Sequence, residues 1–268
     1  MNPTADEGLV RRLPLPLAQL YRRAYNAKTP LERHQAAYYL WEAALKLLSA
    51  VVVVDYSHLG RSDPAEASRL RNVVRPSLGH WWEFIKRLVP ILVEAGPAGD
   101  RFRAVRDWVL GPERDDLPRA TGLDAALREV LESKPGARST VRLSDLFDRL
   151  VRYRNKEFGH GAQGQRSTEF YDRMGRSILS GVGEILACVD LLAGYKLVYI
   201  ADVRRQASGE WLIERYELVG ESARRIESLE LPRSETVKLP DPDVRAGAPA
   251  GLERAQATLH QATSPRMA

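Results

Sequence analysis

The feature that most constrains the fold is a helix-start signal that recurs along the chain. Thr29-Pro30-Leu31-Glu32 puts a hydroxyl where it can accept from a first-turn amide, a proline where no amide is needed, and a glutamate three residues after the cap. Asp63-Pro64-Ala65-Glu66 repeats that chemistry, Pro76-Ser77 offers a third start, and Ser144 and Ser167 or Thr168 supply two more. Between the starts, apolar residues return at spacings of three and four, as one face of a helix requires. A chain patterned this way is expected to be mainly α-helical.

In order, residues 1–14 are polar and expected to fray, and a first helix is expected over 15–27, with Leu17, Leu20, Tyr21 and Ala24 on one face. The helix opened by Thr29 should run through Val51–Val54 and stop near Gly60. A short basic helix carrying Arg69, Arg71 and Arg75 follows. The next holds Trp81, Trp82, Phe84, Ile85 and Leu88, with Pro90 expected to kink or split it and Gly96-Pro97 to end it. Shorter helices are expected over 101–110 and 123–131, on either side of a charged loop at 111–118, with a turn at Lys134-Pro135-Gly136. Ser144 should cap a helix buried through Leu146, Phe147, Leu150 and Val151. After a glycine-rich break at 159–165, the last long helix carries Phe170, Met174, Ile178, Leu179, Ile185 and Leu186. Gly181 and Gly183 lower helix propensity there, as expected where a second helix packs closely.

At Gly194 the period changes. Residues 196–203 and 211–219 are β-branched and aromatic-rich, joined by a segment containing Ser208-Gly209, which predicts a β-hairpin. A weak third strand near 225–231 is a further expectation. From Pro240 the composition turns to Pro, Ala, Gly, Asp and Arg, and a disordered tail is expected. The expected organisation is a helical bundle over 1–194, a hairpin appendage over 195–239 and a tail over 240–268. An isolated hairpin is marginal in water, so it should pack on the bundle or dock, with the tail, on a protein partner.

The stretch with the most chemistry is Leu150-Val151-Arg152-Tyr153-Arg154-Asn155-Lys156-Glu157-Phe158-Gly159-His160-Gly161. Residues six apart face away from each other on a continuous helix, so the glycines beside His160 matter: a chain leaving the helix there can return the imidazole to the Arg154 guanidinium. Arginine grips a phosphate with two parallel hydrogen bonds, and histidine moves a proton near neutral pH. These are the parts of a metal-independent phosphodiester site: Arg154, Asn155 and His160 as catalytic candidates, with no metal or cofactor called for. Arg149, Arg152, Lys156, Arg166, Arg173 and Arg176 flank it and could form a basic rim for an RNA backbone, Arg152, Lys156, Arg166 and Arg173 above all; for at least half of them a solvated face balanced by Asp148, Glu157, Glu169 and Asp172 suits better. Tyr153 and Tyr171 could stack on bases, but core or interface positions suit them better.

Arg154-Asn155, four residues, then His160, near the end of one helix and ahead of another long one, resembles the Arg-(four to six residues)-His motif of HEPN domains. That resemblance covers roughly residues 15–194, by helical pattern only outside the motif. It implies a small helical bundle and a homodimer in which two motifs meet across a cleft. It also implies RNA cleavage without a metal, in toxin–antitoxin or antiviral defence settings. The polar residue after the arginine is commonly asparagine in the family, as Asn155 is here, whereas Ala162 stands where some members carry tyrosine. The runner-up is a non-catalytic module of the same fold that binds a partner protein or nucleotide.

Net charge is +5, with arginine far in excess of lysine, which permits a polyanionic partner without requiring one. The single Cys188 excludes an intrachain disulfide and zinc-finger spacing, and is expected to be a small buried hydrophobe. His34, His58, His80 and His260 lack ligand-spaced partners. No P-loop, GxGxxG or GxSxG pattern occurs. The apolar run Leu47–Val54 is too short to span a bilayer, and Asp6, Glu7, Arg11 and Arg12 interrupt any early apolar stretch. A cytoplasmic protein is the expectation.

Overall fold

In the computed structural model, residues 5–60, 63–132, 138–157, 166–190, 192 and 194–231 are described. The break at 159–165, the turn at Lys134-Pro135-Gly136, His160 and the tail lie outside them. The described chain is mainly helical, with a small antiparallel sheet after the last helix.

The helices are α1 (Glu7–Arg12), α2 (Leu15–Tyr25), α3 (Pro30–His58), α4 (Pro64–Leu70), α5 (Leu78–Glu94), α6 (Arg103–Val109), α7 (Pro118–Glu132), α8 (Leu143–Glu157) and α9 (Thr168–Cys188). The starts form for the local reasons read from the sequence. Thr29 Oγ1 accepts from the Glu32 amide while Glu32 reaches back to the Thr29 amide. Asp63 caps α4 through the Ala65 amide, Ser77 caps α5, and Ser167 caps α9. At Ser77 the reciprocal partner is His80, whose Nδ1 accepts from the Ser77 amide.

Five expectations need correction. Residues 7–12 are helical, because Asp6 caps them and Leu9 and Val10 bury their side chains. Pro90 does not split α5, which is continuous from Leu78 to Glu94. The helix expected at 123–131 begins at Pro118, and α8 begins at Leu143, so Ser144 lies inside it. Cys188 is exposed, since it is the last residue of α9 and the chain leaves the bundle there.

α3 is the central helix, packed against α2, α5 and α9, while α9 also packs on α7, and α7 on α8. By length and composition α3 could cross a bilayer, but here its apolar residues form the bundle core. Trp41 of α3 and Trp82 of α5 both meet Phe147 of α8, at ring-centre distances of 5.9 and 5.3 Å. The glycines of α9 are contact points. A Cβ at Gly181 would lie 2.9 Å from Leu123 of α7, and one at Gly183 would lie 3.3 Å from the Tyr21 ring of α2.

The sheet is a meander of β1 (Val198–Arg205), β2 (Trp211–Val219) and β3 (Ser222–Leu231), so the hairpin extends to a complete third strand. Gly209 and Gly220 take positive φ values of 88° and 61° at its two turns. The sheet is tied to the bundle through the Gly220 amide, which bonds Leu13 O at 2.8 Å, and through Glu221, which pairs with Arg22 at 2.9 Å. Tyr195, on the chain leading into β1, donates to Asp55 at the end of α3, and the Arg101 guanidinium covers its ring.

Candidate functional site

The last turn of α8 has two unlike sides. Tyr153 is fully buried, and its hydroxyl bonds Nε2 of His34, near the start of α3, at 2.7 Å across 119 residues of sequence. Tyr38, one turn further along α3, sits with its ring centre 6.3 Å from that of Tyr153. Burial holds His34 down to about 4, with the charge of Glu157 acting in the opposite direction. Burial raises the Tyr38 and Tyr153 hydroxyls above the ordinary phenol range. Two neutral phenols and a neutral imidazole therefore pack under the helix end near neutral pH. The ring of Tyr171 from α9 closes on His34 at 5.2 Å. Glu157, the last residue of α8, is buried and ion-paired to Arg166 at 2.8 Å. That pair holds the Arg166 guanidinium above its ordinary value. Gly175 of α9 makes the approach to α3 close: a Cβ there would sit 2.9 Å from the main-chain nitrogen of His34.

The other side faces outward. Arg154 is half-buried and Asn155 is exposed. The Arg154 guanidinium is near enough to Tyr38 for its charge to favour the ionised phenol, against the larger effect of burial. The neighbouring cations are nearly all engaged within the protein. Arg152 reaches Glu132 at 3.4 Å, Lys156 donates to Val130 O at 2.8 Å, Arg166 pairs with Glu157, and Arg173 pairs with Glu129 at 3.1 Å. Arg149 is held by Asp124 at 2.6 Å and Arg176 by Asp172 at 2.9 Å. From Arg149 to Arg176, Arg154 is the one cation with no hydrogen bond or ion pair among the described residues.

Of the candidates read from the sequence, α8 therefore presents Arg154 and Asn155 together, while His160 lies outside the described residues. The proposed rim of Arg152, Lys156, Arg166 and Arg173 is occupied by internal partners, mostly by Glu129, Glu132 and Glu157. Of the balancing acids expected, Glu157 holds Arg166 and Asp172 holds Arg176 as well as Arg33, whereas Asp148 accepts from Trp82 and meets Lys86. The buried partners His34, Tyr38 and Glu157 were not legible as site residues, because their pairing depends on contacts between helices distant in sequence.

Comparison with protein-family models, with curated proteins and with solved structures yields no match.

Proposed function

We propose that the chain is a HEPN-like, metal-independent endoribonuclease acting through Arg154, Asn155 and His160. The observation that carries the proposal is the state of Arg154. It is the one cation of its stretch left without an internal partner among the described residues, and its charge reaches the buried Tyr38 phenol. A guanidinium in that setting has its N–H groups available for a phosphate, and its partial burial strengthens the attraction.

In the proposed reaction a base takes the proton of an RNA 2′-hydroxyl. The oxygen attacks the adjacent phosphorus, the bond from phosphorus to the 5′-oxygen breaks, and that oxygen receives a proton. His160 supplies proton transfer, Arg154 stabilises charge on the non-bridging oxygens, and Asn155 orients the phosphate or His160. The products carry a 2′,3′-cyclic phosphate and a 5′-hydroxyl, and DNA, lacking the nucleophile, is not cut. By the family resemblance the working unit is a homodimer with two motifs facing one cleft.

The test is cleavage of mixed RNA by purified protein in excess EDTA, beside His160→Ala and Arg154→Ala. Cleavage by the wild type alone, leaving cyclic phosphate ends, is the expected result. Equal cleavage by all three would expose a contaminating nuclease, and no cleavage by a folded dimer would remove constitutive activity. The occupied rim favours one second reading, a non-catalytic HEPN-like module that binds a partner protein or nucleotide. RNA binding through Arg152, Lys156, Arg166 and Arg173 would have to exchange existing bonds.

A further inference from the structure

Away from the motif turn, a cleft of about 620 Å³ opens between α2, the first turns of α3 and α7, and α9. That volume is in the range of small-ligand sites. Its floor is the face of α9 that carries Ser177, Ser180 and Gly183. One wall is aromatic: Tyr21 and Tyr25 stand edge to face at 4.9 Å, with their hydroxyls 3.4 Å apart.

Three arginines from three helices line it: Arg33 of α3, Arg119 of α7 and Arg176 of α9. Each carries five N–H donors. Arg33 and Arg176 share a single carboxylate, Asp172, at 2.7 and 2.9 Å. Arg119 is exposed and makes no hydrogen bond or ion pair among the described residues. The two acids lining the cleft are turned to the main chain instead. Asp6 accepts from the Gly8 and Leu9 amides that it caps, and Glu184 accepts from the Ala120 amide at 2.8 Å. Most of the cationic donors around the cleft therefore lack an acceptor among the described residues, while its carboxylates already have donors.

From these positions we infer that the cleft binds a small phosphate ester carrying a planar ring, with the phosphate on Arg119 and Arg176 and the ring against Tyr25. Arginine forks match phosphate oxygens in geometry as well as charge, and a tyrosine edge or face accepts a ring without demanding a particular base. The site uses neither Arg154 nor His160, so it stands or falls separately from the ribonuclease proposal.

Calorimetric titration of the full chain with nucleoside 5′-monophosphates, with the corresponding nucleosides and with inorganic phosphate tests it. Saturable binding of at least one monophosphate is expected, clearly tighter than its nucleoside and than inorganic phosphate. Arg119→Ala should weaken that binding roughly ten- to a hundredfold, the loss of charged hydrogen bonds, while leaving the melting temperature in place. Arg119→Lys should restore part of it. No saturable binding of any monophosphate would overturn the inference. So would binding indifferent to the phosphate or to the ring, or an Arg119→Ala protein that binds as the wild type does.

Discussion

The end of the bundle around α8 and the C-terminal sheet handle polar groups in opposite ways. Under α8, His34, Tyr153 and Glu157 are each less than a tenth exposed, and each has a specific partner. Among the described side chains of the sheet, Ile213 is the one buried apolar residue, and Glu214 gathers the exposed Arg204 and Arg225 at 3.0 and 3.4 Å. Buried polar bonds are costly to leave unmade and so fix geometry, whereas exposed pairs are screened and exchange freely with water. The difference teaches where function can sit. The catalytic role proposed for Arg154 needs a backbone that does not shift, and Arg154 lies at the end of the molecule where buried polar bonds fix the packing.

The contrast breaks most visibly at Tyr153. Tyr153→Ala should destabilise by about 3–5 kcal/mol in urea unfolding, because a fully buried aromatic ring is lost. Tyr153→Phe, which keeps the ring and strands His34 Nε2, should cost about 1–2 kcal/mol. If Tyr153→Ala cost no more than a surface change, the helix end would not be the rigid region described.

The pH dependence sharpens the same point. His34 titrates near 4 when folded against an ordinary 6.5, so between those values the unfolded chain binds the extra proton. Its contribution to stability is therefore complete above about 6.5 and declines as pH falls toward 4, by roughly 3 kcal/mol in all. Unfolding free energies measured across that window should show the slope in the wild type and a flatter profile in His34→Gln. An unchanged slope would mean that other groups carry it.

Gly175→Ala should cost about 1–3 kcal/mol, since its Cβ would press on the α3 backbone. A neutral outcome would show that α3 and α9 separate easily at this contact. At the small end, Glu214→Ala in the sheet should change stability by at most about 1 kcal/mol. A larger loss would make the sheet's open ion pairs structural and narrow the contrast.

Local chemistry made much of this fold legible. Caps at Thr29, Asp63, Ser77 and Ser167 are contacts within a few residues, so sequence spacing reveals them. Gly181 and Gly183 marked close helix packing for the same reason that they lower helix propensity. The shortest helix escaped because Leu9 and Val10 alone make too little pattern to see. Cys188 looked like core because its neighbours are apolar, and nothing local says that the helix ends on it. At the site, Arg154 and Asn155 were legible as neighbours. The buried pair of His34 and Tyr153 joins α3 to α8, and the cleft gathers arginines from α3, α7 and α9. Such juxtapositions exist only after the helices pack.

The central claim is that Arg154 is kept for RNA and not for the fold, and one paired measurement tests it. Urea unfolding and RNA cleavage in EDTA are followed on the same preparations of wild type and Arg154→Ala. The account expects unfolding free energies within about 0.5 kcal/mol of each other, as for a side chain outside the core. It also expects cleavage to be lost in the variant. Cleavage retained by Arg154→Ala, or a loss of activity matched by an equal loss of folded protein, would contradict it.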